Sequence, residues 1–288
     1  LRLPGYIREK KQLIDKYFSD PAINKAVNEI NQLTIKGDYE QAKKKIYALQ
    51  RKDKIVAAAA NVYLANILYN QSEYGRSIIL CDSAVQLLNN DLQNGYVIKA
   101  HNLKAKSLSS IDKYDEAIEL LSFTKRESKK NKDQYGLSIS YYLLGSVLAD
   151  RGKYQESLSQ FDSSLTIRKE LQDELGEAAC YSFIGLDHSF LGNYSLAISF
   201  IQKSISIRER IGDKRGLANS YLNLYKIYYG MGEIDKALQS EFKSLEICTE
   251  LNDLQCVSGR YTNIGQLYQN KNELEKAKEY HLKALAIS

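Results

Sequence analysis

An all-α array of stacked helix-turn-helix units is the fold class this sequence predicts, and three observations carry it. An apolar pattern returns about every forty residues. The two prolines, Pro4 and Pro21, both lie at the start, so nothing later in the chain forbids helix. An aspartate recurs at fixed spacing where each unit would begin. The clearest copy of the pattern is residues 217–238, LANSYLNLYKIYYGMGEIDKAL. Tyr221, Leu224 and Tyr228 are three and four residues apart, which places them on one helix face. Gly230-Met231-Gly232 breaks the helix, and Ala237, Leu238 and Leu245 open a second face. Forty residues earlier the layout reads Tyr181, Ile184, His188, Gly192, Tyr194 and Ala197. Forty residues later it reads Tyr261, Ile264, Tyr268, Asn272, Leu274 and Ala277.

Taken in order, residues 1–20 predict a short amphipathic helix, with Ile7, Leu13, Ile14, Tyr17 and Phe18 on its apolar side. Ser19-Asp20-Pro21 then reads as a capped new start, since proline suits the first helical position. From there the array fills residues 21–288. Its first helix runs to Lys36, with Gly37-Asp38 as the turn. Second helices open at Tyr39, Tyr74, Tyr114, Tyr154, Tyr194, Ile234 and Leu274, which makes seven repeats. Three or four residues on comes a small one (Ala42, Ala117, Ser157, Ala197, Ala237, Ala277) where two helices can approach closely. Asp133, Asp173, Asp213 and Asp253 stand before new first helices, as N-caps accepting from free backbone N–H groups.

Composition agrees with a continuous core. The 288 residues would ordinarily suggest about two domains, but a repeat array is one stack of nearest-neighbour contacts. Tyrosine numbers 22 and tryptophan is absent, which suits half-buried positions with a wet hydroxyl. The formal charge of +5 is mild. Basic clusters at Lys43, Lys44, Lys45, Arg51, Lys52 and Lys54, and at Lys125, Arg126, Lys129, Lys130 and Lys132, read as solvated helix faces, and no nucleic-acid partner is expected. Of Cys81, Cys180, Cys248 and Cys256, none forms a CxxC pair, so neither a zinc site nor a redox motif is predicted. Cys248 and Cys256 flank one turn, which leaves both a disulfide and two free thiols open. No run is long enough to span a membrane.

The pattern Y-x-x-I/L-G-x-x-Y, then small, then apolar, resembles the tetratricopeptide repeat. It stands as Tyr141, Leu144, Gly145 and Leu148; as Tyr181, Ile184, Gly185 and His188; and as Tyr261, Ile264, Gly265 and Tyr268. In the sixth repeat Tyr225 replaces the family's glycine, at a point where two helices would meet closely. The usual proline at the repeat end is missing, with the aspartates in its role. The forty-residue period is similar to that of kinesin light chains, spindle-orienting scaffolds and the sensor regions of bacterial signalling proteins. The resemblance implies a right-handed α-solenoid superhelix of about seven repeats, with the first helix of each lining a concave groove.

No catalytic constellation accompanies the fold. His101, His188 and His281 take places that other repeats fill with packed side chains, and no carboxylate–histidine set has metal or relay spacing. There is no GxxxxGK loop and no GxGxxG after a strand. Neither an enzyme nor a cofactor is expected. The informative feature is a stripe without acids. Aligned to the family, 25 inward positions of repeats three to seven contain no Asp or Glu, where 35 acids in 288 residues predict about three. From these come the candidate ligand-binding residues: Lys99, Asn102 and Lys106 in the third repeat, Tyr142 and Ser146 in the fourth, Ser182 in the fifth. Asn219, Asn223, Lys226 and Tyr229 follow in the sixth, and Asn263 and Gln266 in the seventh. The asparagines could hydrogen-bond a peptide backbone and the lysines attract acidic groups. A crowded inner wall would also carry few charges, so the stripe has two readings.

The last second helix is expected to continue past Ser288 with Leu282, Leu285 and Ile287 on an uncapped apolar face, as in a fragment of a longer protein. The expected function is a sensor or adaptor segment that binds an extended protein or peptide, acidic in character, in the groove. The alternative is an architectural segment that self-associates through its ends. By resemblance to bacterial sensors an extracytoplasmic position is favoured over a cytoplasmic one.

Overall fold

The computed structural model describes residues 21–49, 53–92 and 94–287. Among these residues every regular element is an α-helix, and the fourteen helices pair in sequence. They are α1 (Pro21–Lys36), α2 (Tyr39–Leu49), α3 (Lys54–Asn70), α4 (Tyr74–Leu87), α5 (Gly95–Ser109), α6 (Tyr114–Lys130), α7 (Gln134–Asp150) and α8 (Tyr154–Glu170) in a first compact unit ending at Gln172. A second unit, from Asp173, holds α9 (Glu174–Phe190), α10 (Tyr194–Ile211), α11 (Lys214–Gly230), α12 (Ile234–Glu250), α13 (Leu254–Asn270) and α14 (Leu274–Leu285). Odd-numbered helices are the first of each repeat. All seven second helices open at the residues the sequence marks. The helix expected within residues 1–20, its Ser19-Asp20 cap, Arg51, Lys52 and Ser288 lie outside the described residues. α14 ends at Leu285, Ala286 and Ile287 form a turn, and the expected continuation past Ser288 lies outside the described residues.

The aspartates cap as their spacing requires. Asp133, Asp173, Asp213 and Asp253 accept from the backbone N–H of Gly136, Gly176, Gly216 and Cys256 at 2.9–3.1 Å. Asp53 does the same for Val56, a member of the series that the sequence reading passed over. Arg208 adds a second partner to Asp213 at 2.5 Å, and its guanidinium occupies the space a Cβ on Gly216 would need.

Within each repeat the two helices touch through a small residue. A Cβ on Gly145 would sit 3.0 Å from the Phe161 ring, and one on Gly185 only 2.8 Å from Ile201 Cδ1. Close approach at these points explains why glycine stands there. The small residues Ala42, Ala117, Ser157, Ala197, Ala237 and Ala277 are all buried. Hydroxyls take the buried places between successive repeats: Ser140 donates to Thr124 in the first unit, and Ser204 pairs with Ser220 in the second. Each polar atom sealed in a layer this way avoids the cost of an unmet hydrogen bond.

Cys248 and Cys256 form a disulfide across the turn from α12 to α13, with Cα atoms 5.8 Å apart. Cys81 and Cys180 are buried, and burial pushes the Cys81 thiol up to about 12.

Candidate functional site

Helix composition sets the character of the first-helix surfaces. Helices α3, α5, α11 and α13 contain no Asp or Glu, and α7 has only Asp150 at its last residue. Second helices such as α6 and α12 carry acids along their length.

In the first unit, the predicted residues divide between surface and interior. Lys99 lies over the Tyr96 ring at 4.8 Å and Lys106 over the Tyr69 ring at 4.0 Å. Desolvation holds the Lys106 ammonium below its ordinary range. Asn102 is corrected: it is buried and accepts from Thr124 Oγ1 at 3.0 Å, so its side chain binds the helix layer together and does not face a ligand. Tyr142 is half-buried, edge-on to Phe161 at 5.6 Å with the Arg168 guanidinium over its ring, and Ser146 is half-buried beside it on α7. Asp150, one turn past Ser146 on the same face of α7, accepts from Ser109, and desolvation raises its carboxyl.

In the second unit Ser182 is likewise corrected, because it is buried and its hydroxyl pairs with Ser204 at 2.8 Å. The α11 and α13 residues fare differently. Asn219, Lys226, Tyr229 and Gln266 are exposed, and Asn223 and Asn263 are half-buried. The structure joins the two helices here: Asn270 donates to the Tyr229 hydroxyl at 3.2 Å, and Gln266 donates to Asn270 at 3.2 Å. Asn263 donates to Glu241 Oε1 at 2.8 Å from the neighbouring α12. Glu241 is wholly buried, and its Oε2 lies 3.6 Å from Arg260 Nε. Desolvation pushes its carboxyl up to about 7, against the pull of Arg260, Asn263 and Lys226. Neither Glu241 nor Arg260 was marked in the sequence. The signal was present as a charged residue in a column of buried apolar ones.

Among the described residues no cluster of His, Cys, Asp or Glu could hold a metal ion, and no helix is long and apolar enough to cross a membrane. His188 stacks on Phe200 at 5.5 Å and the His101 ring stands edge-on to Phe123. Both therefore pack as ring side chains.

The repeat geometry matches a known family. Family models of the tetratricopeptide repeat match residues 136–210 and 259–288. Over those residues the chain carries tetratricopeptide repeats. The fold is similar to several solved structures at low identity. A Rap protein complexed with competence and sporulation factor is 15% identical, with TM-score 0.70, over 92% of this chain and 73% of that one. BtubC (BKLC) from P. vanneervenii is 18% identical, with TM-score 0.58, over 83% and 91%. A signal transduction ATPase with numerous domains and a tetratricopeptide repeat sensor, from Pyrococcus horikoshii, is 19% identical with TM-score 0.66. That match covers 98% of this chain and 45% of the other. No curated protein matches the sequence significantly. At these identities the likenesses carry the fold.

Proposed function

We propose that this tetratricopeptide repeat chain is a non-catalytic protein-binding segment, the sensor or adaptor part of a signalling protein. It takes an extended peptide along its first helices, with acidic groups of the ligand meeting Lys226. The observation that carries this reading is the chemistry of α11 and α13. These helices lack acids, and their exposed side chains include Asn219, Lys226, Tyr229 and Gln266, which donate, accept and stack without requiring one sequence. The Rap likeness is in keeping with it, since a Rap conjugation gene regulator of similar fold was solved in complex with the Phr* peptide. Asn102 and Ser182 drop out of the ligand set, and Lys99, Lys106, Tyr142 and Ser146 form a separate candidate face within the first unit.

The test is cross-linking capture from the source cell with the chain and with an Asn219→Ala, Lys226→Ala, Gln266→Ala variant of unchanged helicity. The reading predicts a partner cross-linked to α11 or α13 and lost from the variant. The same partners retained at equal yield would contradict it.

A second reading rests on Leu274, Leu282 and Leu285, which are 59%, 55% and 72% exposed on α14. Self-association through that helix would hide them, and sedimentation that stays monomeric at high concentration would dismiss it.

A further inference from the structure

One place in the second unit breaks the forty-residue periodicity three times over. Seven residues into the second helices of the third to fifth repeats stands the side chain that fills the centre of the repeat: Leu121, Phe161 and Ile201 are all buried there, whereas the seventh repeat has the exposed His281. The sixth repeat puts Glu241 at that position, also wholly buried. The facing position on the first helix is small as Ala105, Gly145 and Gly185, and becomes Tyr225. The position that seals one repeat to the next is small as Ala100, Ser140 and Ser220, and becomes Arg260. All three departures converge. Arg260 Nε lies 3.6 Å from Glu241 Oε2, and neither atom has a hydrogen-bond partner in its buried setting. The Tyr225 hydroxyl feels the Glu241 charge, which together with burial raises it.

We propose that Glu241 is a built-in anion that regulates the ligand face of α11 and α13: ionised, it holds Arg260, and protonated, it releases that guanidinium to a carboxylate of an acidic peptide. This rests on the reading of α11 and α13 as a ligand face. Every group facing Glu241 is consistent with the exchange. From α13 come Arg260 and the Asn263 amide, and from α11 come Lys226 and the Tyr225 ring. With its carboxyl titrating at about 7, Glu241 changes charge across the neutral range. A carboxylate fixed beneath the face competes with a ligand carboxylate for the Arg260 guanidinium. Its loss by protonation therefore strengthens acid binding as pH falls. A solely structural role would leave the small and apolar columns intact, as in the fifth repeat, where Ile201 and Gly185 need no charge.

The probe is a fluorescein-labelled penta-glutamate peptide with blocked ends, beside its penta-glutamine counterpart, followed by anisotropy at about pH 5.5 and about pH 8.5, where the peptide carboxylates stay ionised. The full chain should bind penta-glutamate about tenfold more tightly at the lower pH. Glu241→Gln, isosteric and neutral, should bind tightly at both, with a ratio near one. Arg260→Gln should lose the tight binding. Penta-glutamine should show no pH dependence with any variant. His281, whose ring lies against Gly265 on α13, remains in Glu241→Gln, so a histidine effect would persist there. A wild-type ratio near one, undetectable penta-glutamate binding at both pH values, or a ratio surviving in Glu241→Gln would each overturn the proposal. A cellular partner lost from the Asn219, Lys226 and Gln266 variant but indifferent to Glu241→Gln would sink this inference and leave the protein-binding reading standing.

Discussion

The fifth and sixth repeats share one backbone plan and differ at its centre. In the fifth, Ile201 fills the middle of the pair and Gly185 lets the helices close over it. In the sixth, Glu241 and Tyr225 hold the same two places and Arg260 reaches in from the next helix. Packing alone explains the fifth: a branched side chain needs a partner without a Cβ. It does not explain the sixth, where a buried carboxylate gains nothing over an isoleucine in stability. The difference teaches that periodicity is kept wherever volume is the only demand. It is given up at several facing positions where chemistry is kept instead.

The largest effect comes from forcing the fifth repeat to imitate the sixth. Ile201→Glu would bury a carboxylate with no arginine facing it, and should cost about 3–5 kcal/mol in urea denaturation of the chain. Glu241→Gln runs the comparison in reverse. The folded chain holds the Glu241 proton up to about pH 7, whereas the ordinary carboxyl value is 4.5. Between those values the folded state binds a proton the unfolded state has lost. Stability contributed by this group is therefore full below pH 4.5, falls as pH rises to about 7 and stays low above it. Glu241→Gln should match wild type near pH 4.5 and exceed it above pH 7 by about 1–3 kcal/mol. Equal stability across the range in thermal melts would show that the carboxyl is not strained.

Gly185→Ala should cost about 2 kcal/mol, because its Cβ would meet both Ile201 Cδ1 and the Ala197 carbonyl oxygen, and backbone cannot yield cheaply. Tyr225→Gly in the sixth repeat, by contrast, should leave the helix contact unimproved, since no apolar side chain waits to fill it. Smallest is Asp213→Ala, which removes an N-cap and the partner of Arg208. A loss of about 1 kcal/mol by denaturation is expected.

Most of the architecture was legible in the sequence. Helix pairs, turns and caps depend on local rules, so Tyr154 or Asp213 could be placed by counting. Gly37, Gly152, Gly192 and Gly232 adopt the left-handed conformation at the turn within a repeat, and Ser72, Asp112 and Asn272 take it without being glycine. The ligand face was harder. Asn102 and Asn263 occupy nearby register positions, yet one is buried against Thr124 while the other reaches Glu241. Which way an amide turns depends on the side chain across the layer, and a one-helix pattern does not contain that. Glu241 lies on a second helix, outside the first-helix pattern, and its signal in the sequence is the column down the repeats, where it coincides with Tyr225.

The pairing of Cys248 with Cys256 was left open for a related reason: sequence spacing fixes the turn, whereas only the placement of α12 against α13 brings the two sulfurs together.

The most direct test of the central claim is a pH titration of the Glu241 side chain carboxyl by carbon NMR, assigned by its disappearance in Glu241→Gln. A midpoint near 7, moving when Arg260 is replaced by glutamine, is the predicted result. A midpoint near 4.5 would contradict it, for it would mean an ordinary carboxylate with no competing hold on Arg260.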